Sequence, residues 1–95
     1  MPASNKILLV DDNPLVLKMM GKALTSGGFE CLKADSAKKA MAILQKETPD
    51  IILSDYEMPD VNGFAFRQQL MSSVEYRHIP FMFLTAKTNT DLMIE

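Results

Sequence analysis

The sequence predicts an α/β protein built on a parallel sheet with helices on its faces. Three observations carry this. Short continuous apolar runs at 7–10 (I-L-L-V), 51–53 (I-I-L) and 81–84 (F-M-F-L) are what strands buried on both faces require. Between them lie segments whose apolar residues recur at helical spacing. Gly, Pro, Asn and Asp punctuate the junctions. Strand and helix in strict alternation imply parallel strands joined by helical crossovers.

The elements follow in order. Residues 6–10 (K-I-L-L-V) form the first strand and end at Asp11-Asp12. Pro14 suits the first turn of a helix, where its missing N–H costs nothing, with Asn13 or Asp12 as cap. Leu15, Val16, Met19, Met20, Ala23 and Leu24 make its apolar stripe, and Gly27-Gly28 stop it. Residues 29–34 (F-E-C-L-K-A) are a strand whose charges suit a sheet edge. Ser36 caps a second helix with Ala37, Ala40, Met41, Ile43 and Leu44 facing the core, and Thr48-Pro49 end it. Ile51 to Ser54 form the third strand. Asn62-Gly63 precede a third helix with Phe64, Leu70 and Met71 on its apolar face. Pro80 opens a fourth strand, F-M-F-L-T-A, since a first strand position tolerates proline. Thr88, Asn89 or Thr90 would cap a fourth helix.

Bulk properties narrow the function. The 95 residues make one domain, and 47% hydrophobic residues suffice for one core. Mixed charge with a net value of −2 argues against a nucleic-acid footprint or a polybasic membrane patch. No apolar run reaches the roughly 18 residues that a membrane helix needs. The start, M-P-A-S-N-K, lacks the layout of a signal peptide, so a cytoplasmic location is expected. The single Cys31 cannot form an internal disulfide and reads as a small apolar side chain. The eight methionines read as core filling. His78, in a polar stretch before Pro80, reads as a loop or cap residue.

In open parallel sheets, ligands bind beyond the carboxyl ends of the strands, at the topological switch point. Asp11 and Asp12 follow the first strand, Asp55 the third and Thr85 the fourth. With the first and third strands adjacent, three carboxylates share one cleft. Such a cluster repels itself and raises its own pKa values unless a cation sits within it. Oxygen donors without His or Cys suit Mg²⁺ before Zn²⁺. A carboxylate beside Mg²⁺ can accept a phosphoryl group. Each aspartate taken singly is more often a cap or turn former; their coincidence at strand ends favours a site. Asp60 and Asn62 read as turn residues. Gly63 reads as a position that needs special backbone angles or room.

These residues resemble the receiver domain of two-component response regulators. The matching elements are I-L-L-V-D-D-N at 7–13, L-S-D-Y-E-M-P-D-V-N-G at 53–63 and F-L-T-A at 83–86. The resemblance implies a flavodoxin-like (CheY-like) doubly wound sheet of order 2-1-3-4 over residues 1–95. It implies Asp55 as phospho-acceptor. It implies Mg²⁺ held by Asp12 directly, Asp11 largely through water, Asp55, and the backbone carbonyl of Glu57. Thr85 matches the switch hydroxyl, with the Ala86 amide beside it, and Glu57 and Lys87 match positions that modulate phosphate lifetime. The implied partners are a sensor histidine kinase or phosphotransfer protein and a downstream effector. The domain itself is then no enzyme beyond its own phosphoryl transfer and hydrolysis.

The family's fifth strand with its lysine, its switch aromatic and its last helix have no match, so an incomplete receiver is expected. Lys87 follows Thr85-Ala86 too closely to be that lysine. The expected consequences are an exposed fourth-strand edge, a homodimer through that edge or a poorly stable monomer, and weak phosphorylation. Two alternatives remain: a receiver-like interaction fragment that takes no phosphate, and an Asp-nucleophile metal-dependent phosphatase. The phosphatase reading ranks lower because the first strand ends D-D-N, not D-x-D. A nucleotide-binding reading has no G-x-G-x-x-G or P-loop to support it.

Overall fold

Each of the three apolar runs, and the charged segment before Asp35, becomes a strand of one parallel sheet. The computed structural model describes residues 5–58 and 60–84. The elements are β1 (Lys6–Val10), α1 (Pro14–Ser26), β2 (Glu30–Ala34), α2 (Ala37–Leu44), β3 (Ile51–Asp55), α3 (Gly63–Met71) and β4 (Phe81–Leu84). The strand order is β2-β1-β3-β4, as expected. Every neighbouring pair is parallel, so each link from one strand to the next must cross over through a helix.

Helix starts obey local chemistry. The Asn13 side-chain oxygen accepts the Leu15 and Val16 N–H groups at 2.9 and 3.4 Å, with Pro14 in the first turn. Ser36 Oγ accepts the Lys39 N–H at 3.1 Å, and Asn62 Oδ1 accepts that of Ala65 at 2.8 Å. Each bond satisfies a donor that the helix leaves unpaired. Gly28 ends α1 with φ +96°, a conformation that costs glycine least.

The register separates two sheet faces. Leu8, Val10, Ile52 and Ser54 point to one side, where Ala37, Ala40 and Leu44 of α2 and Phe66 and Leu70 of α3 complete the main core. Ile7 and Leu9 point to the other side, where α1 packs over β1 and β2.

Several expectations require correction. α2 ends at Leu44, short of Thr48-Pro49. The Lys46 and Glu47 amides fold back onto the Ile43 carbonyl, and Glu47 pairs with Lys6 of β1 at 3.0 Å, tying the chain to the start of β1. In α3 the buried line is Gly63, Phe66 and Leu70, while Phe64 and Met71 are exposed. The start at Gly63 sets this phase, and 63, 66 and 70 are spaced as one helical stripe. In α1, Leu15 and Met19 face solvent, 60% and 61% exposed. Ala23 is exposed as well; Val16, Met20 and Leu24 do turn inward, joined by Leu17 and the buried Gly21. Phe29 lies outside β2, and Asp55 lies within β3. Thr85, Ala86, Lys87 and the expected fourth-helix caps fall outside the described residues.

Phe66→Ala is expected to cost about 3–5 kcal/mol through the cavity it leaves. Phe64→Ala should change stability by no more than about 0.5 kcal/mol. Urea denaturation compares them, and equal losses would contradict the phase of α3.

Candidate functional site

β1 and β3 run side by side with Val10 opposite Ser54, so the next residues of the two strands, Asp11 and Asp55, emerge together. The Asp11 N–H still bonds the Ala34 carbonyl at 3.1 Å, which holds Asp11 as a continuation of β1. Its Oδ1 accepts the Asn13 N–H at 2.9 Å, and this turns the chain into α1. One carboxylate oxygen from each of Asp11, Asp12 and Asp55 lies within 4.8 Å of the others. Asp11 is buried, Asp55 half-buried and Asp12 exposed.

Burial raises the Asp55 carboxyl above its ordinary range, and the Asp11 charge adds to this. The Tyr56 and Glu57 N–H groups donate to the Asp55 carboxylate and pull the other way, while Asp12 pushes it up slightly. Asp11 is raised by burial first; the Asn13 N–H opposes this and the Asp12 charge supports it. Both groups therefore resist ionisation in a cleft that concentrates negative charge. The donors are oxygens alone, without His or Cys, which fits a hard divalent cation such as Mg²⁺.

The loop after β3 is held from several sides. The buried Ser54 donates its hydroxyl to the Asp55 carbonyl at 3.0 Å. Met58 is buried in the main core. Asp60 takes a left-handed conformation, φ 65°, which Asp tolerates better than most residues. The Gly63 N–H bonds the Tyr56 carbonyl at 2.8 Å and closes the loop. The Tyr56 ring lies 5.1 Å from that of Phe83, Phe83 lies 5.2 Å from Phe81, and Phe81 lies 5.8 Å from Phe66. This row ties the acidic loop to β4 and α3.

The structure thus brings together Asp11, Asp12 and Asp55, with Glu57 contributing its amide beside them. Two contributors escaped the sequence reading: the Tyr56 and Glu57 amides that bond the Asp55 carboxylate, and the Tyr56 ring. Backbone donors leave no residue-type signal, and the ring contact joins residues 27 apart, 83 − 56. His78 is exposed in the turn before β4, as a loop residue should be, and Cys31 is half-buried in β2.

Fold and site together define a flavodoxin-like α/β domain with an acidic, cation-suited cleft at its switch point. The family model of the response regulator receiver domain matches residues 7–95. Protein PilH of Pseudomonas aeruginosa is 35% identical over 82 residues, which cover 86% of this chain and 68% of that protein. Hybrid signal transduction histidine kinase C of Dictyostelium discoideum is 48% identical over 66 residues, 70% of this chain and 5% of that protein. The phosphate regulon transcriptional regulatory protein PhoB of Pseudomonas aeruginosa is 35% identical over 89 residues, 94% of this chain and 39% of that protein. The chain therefore spans well under half of those last two relatives. Among solved structures, Vibrio cholerae chemotaxis protein CheY4 is similar, with TM-score 0.86, 32% identity and coverage of 97% of this chain and 77% of that one. The receiver domain of sensor histidine kinase PA1611 from Pseudomonas aeruginosa, solved with magnesium in its active-site cleft, has TM-score 0.83 and 26% identity, with 96% of this chain and 75% of that one covered. The chain belongs to the response regulator receiver domain family. It is a receiver domain of two-component signal transduction, a signalling domain.

The raised carboxyls give a direct test. A carboxyl whose folded pKa exceeds its unfolded value holds more protons in the native state. Metal-free stability contributed by Asp11 and Asp55 is therefore lost as pH rises through the ordinary carboxylate range and beyond. At pH 7, Asp55→Asn is expected to raise metal-free stability by on the order of 1 kcal/mol, the Coulomb scale for neighbouring like charges in a watery medium. Mg²⁺ at a hundred times its Kd should stabilise the unmodified chain by about 2.7 kcal/mol. Asp55→Asn should lose most of that gain. Urea denaturation with and without Mg²⁺ decides; a destabilised variant that still responds fully to Mg²⁺ contradicts the cluster.

Proposed function

We propose that Asp55 accepts a phosphoryl group from a phosphohistidine of a sensor kinase or phosphotransfer protein. The observation that carries this is the convergence of Asp11, Asp12 and Asp55 within 4.8 Å at the ends of β1 and β3. Asp11, Asp12, Asp55 and the Glu57 carbonyl would hold Mg²⁺. When bound, the ion offsets the charge of the carboxylates and of the incoming phosphoryl oxygens. An Asp55 carboxylate oxygen forms the new O–P bond in line as the donor's N–P bond breaks, and the electron pair leaves with the histidine nitrogen. The Tyr56 and Glu57 amides orient that carboxylate. Water later attacks phosphorus, the O–P bond breaks with its electron pair returning to the Asp55 carboxylate, and inorganic phosphate leaves.

Thr85 and Ala86 complete the proposal as contacts to the phosphoryl group, and Glu57 and Lys87 as modulators of its lifetime. Phosphorylation then alters the fit to a downstream effector. We place the domain in the cytoplasm; among the described residues no helix is long and apolar enough to cross a membrane. Among the described residues β4 pairs only with β3, so its other edge is the proposed seat of self-association.

With acetyl phosphate and Mg²⁺, the unmodified chain should incorporate phosphate, detected by mass. Asp55→Asn should reduce incorporation to background. Incorporation that survives Asp55→Asn would reject Asp55 as acceptor. Light scattering over a wide concentration range tests the β4 edge: dimer should grow with concentration, and a monomer throughout rejects it.

A further inference from the structure

We infer that Gly63 is a positioning residue for the acceptor: its missing side chain lets the first turn of α3 seat against the Asp55 peptide and fixes the path of Asp55 to Glu57. This rests on the reading of Asp55 as the acceptor. The geometry is specific. A Cβ on Gly63 would lie 2.9 Å from Tyr56 Cα and 3.1 Å from the Asp55 carbonyl carbon, and closer still to the Asp55 carbonyl oxygen. All three are backbone atoms, so no rotamer change relieves the clash. Glycine is needed here for room rather than for backbone angle, because Gly28 is the glycine with positive φ among the described residues.

Neither partner can retreat easily. Gly63 is buried, and α3 is anchored beneath it by Phe66, which is fully buried, and by Leu70. β3 is anchored by Ile52 and Ser54, both fully buried. The Asp55 carbonyl is held on another side by Ser54 Oγ at 3.0 Å. The Gly63 N–H grips the Tyr56 carbonyl at 2.8 Å. The segment left to yield is Asp55 to Glu57. That segment carries the acceptor carboxylate, the two amides that orient it and the carbonyl proposed as a metal ligand. A methyl group at position 63 therefore moves the site rather than the core.

Three variants separate positioning from plain stability. Gly63→Ala introduces the clash. Asn62→Ala loosens the same first turn by removing the bond to the Ala65 N–H. Ser36→Ala removes the equivalent cap of α2, away from the loop. In metal-free protein, the amide shifts of Asp55 to Glu57 should move in Gly63→Ala and Asn62→Ala and stay in place in Ser36→Ala. The Mg²⁺ Kd of Gly63→Ala should rise about tenfold, the scale seen when supports of metal ligands are lost. Its phosphoryl uptake from acetyl phosphate should fall about a hundredfold, as for a misplaced reacting group. Asn62→Ala should move both in the same direction and Ser36→Ala neither. Unchanged shifts and Mg²⁺ affinity in Gly63→Ala, or equal losses in Asn62→Ala and Ser36→Ala, overturn the inference. If Gly63→Ala fails to fold, the Asn62→Ala and Ser36→Ala pair decides. An unmodified chain that takes up no phosphate sinks the acceptor reading instead, and the metal-free shifts still judge Gly63.

Discussion

Mutual repulsion among Asp11, Asp12 and Asp55 is the constraint on which the rest depends. Carboxylates with oxygens within 4.8 Å would separate if the chain allowed it. It does not, because the strands beneath them are locked. Leu8, Leu9, Val10, Ile52 and Ser54 are fully buried, and β1 is hydrogen-bonded on both edges, to β2 and β3. Dense packing transmits strain instead of absorbing it. The charge conflict therefore stays in the cleft, where burial raises two of the carboxyls and leaves the site favourable to a cation.

The loop after β3 answers that conflict with dipoles rather than side-chain charge. The Tyr56 and Glu57 amides stabilise the ionised form of Asp55 against burial and Asp11. For those amides to point at the carboxylate, the loop must fold tightly back on β3. Three anchors allow this: Met58 in the core, Asp60 in a left-handed turn and Gly63 against the Asp55 peptide. Electrostatics and sterics meet in the same few peptide units. The aromatic row from Tyr56 through Phe83 and Phe81 to Phe66 gives a packed link from this loop to β4 and α3.

Much of this was legible in the residues. Asn13, Pro14, Ser36 and Asn62 mark helix starts because capping is local chemistry, complete within three or four residues. Three of the strands were legible because a run apolar at every position has few other uses, and the charges of β2 marked it as an edge. The acidic site followed from the parallel topology, which gathers strand ends. Helix faces were less legible. Leu15, Met19, Phe64 and Met71 fit an apolar stripe as well as the residues that are buried. Choosing Phe66 over Phe64 depends on where the first turn of α3 begins.

The sequence by itself determined the alternation of elements, where the helices begin and the placement of Asp11, Asp12 and Asp55 at strand ends. Each of these arises from neighbours along the chain, so local pattern suffices. Only the tertiary structure decided which face each helix turns inward, how closely the carboxylates approach and which backbone amides reach Asp55. It also decided between backbone angle and room as the reason for Gly63. Those outcomes depend on contacts between segments remote in sequence, where the register of β1 against β3 and the seating of α3 set distances that no residue type specifies.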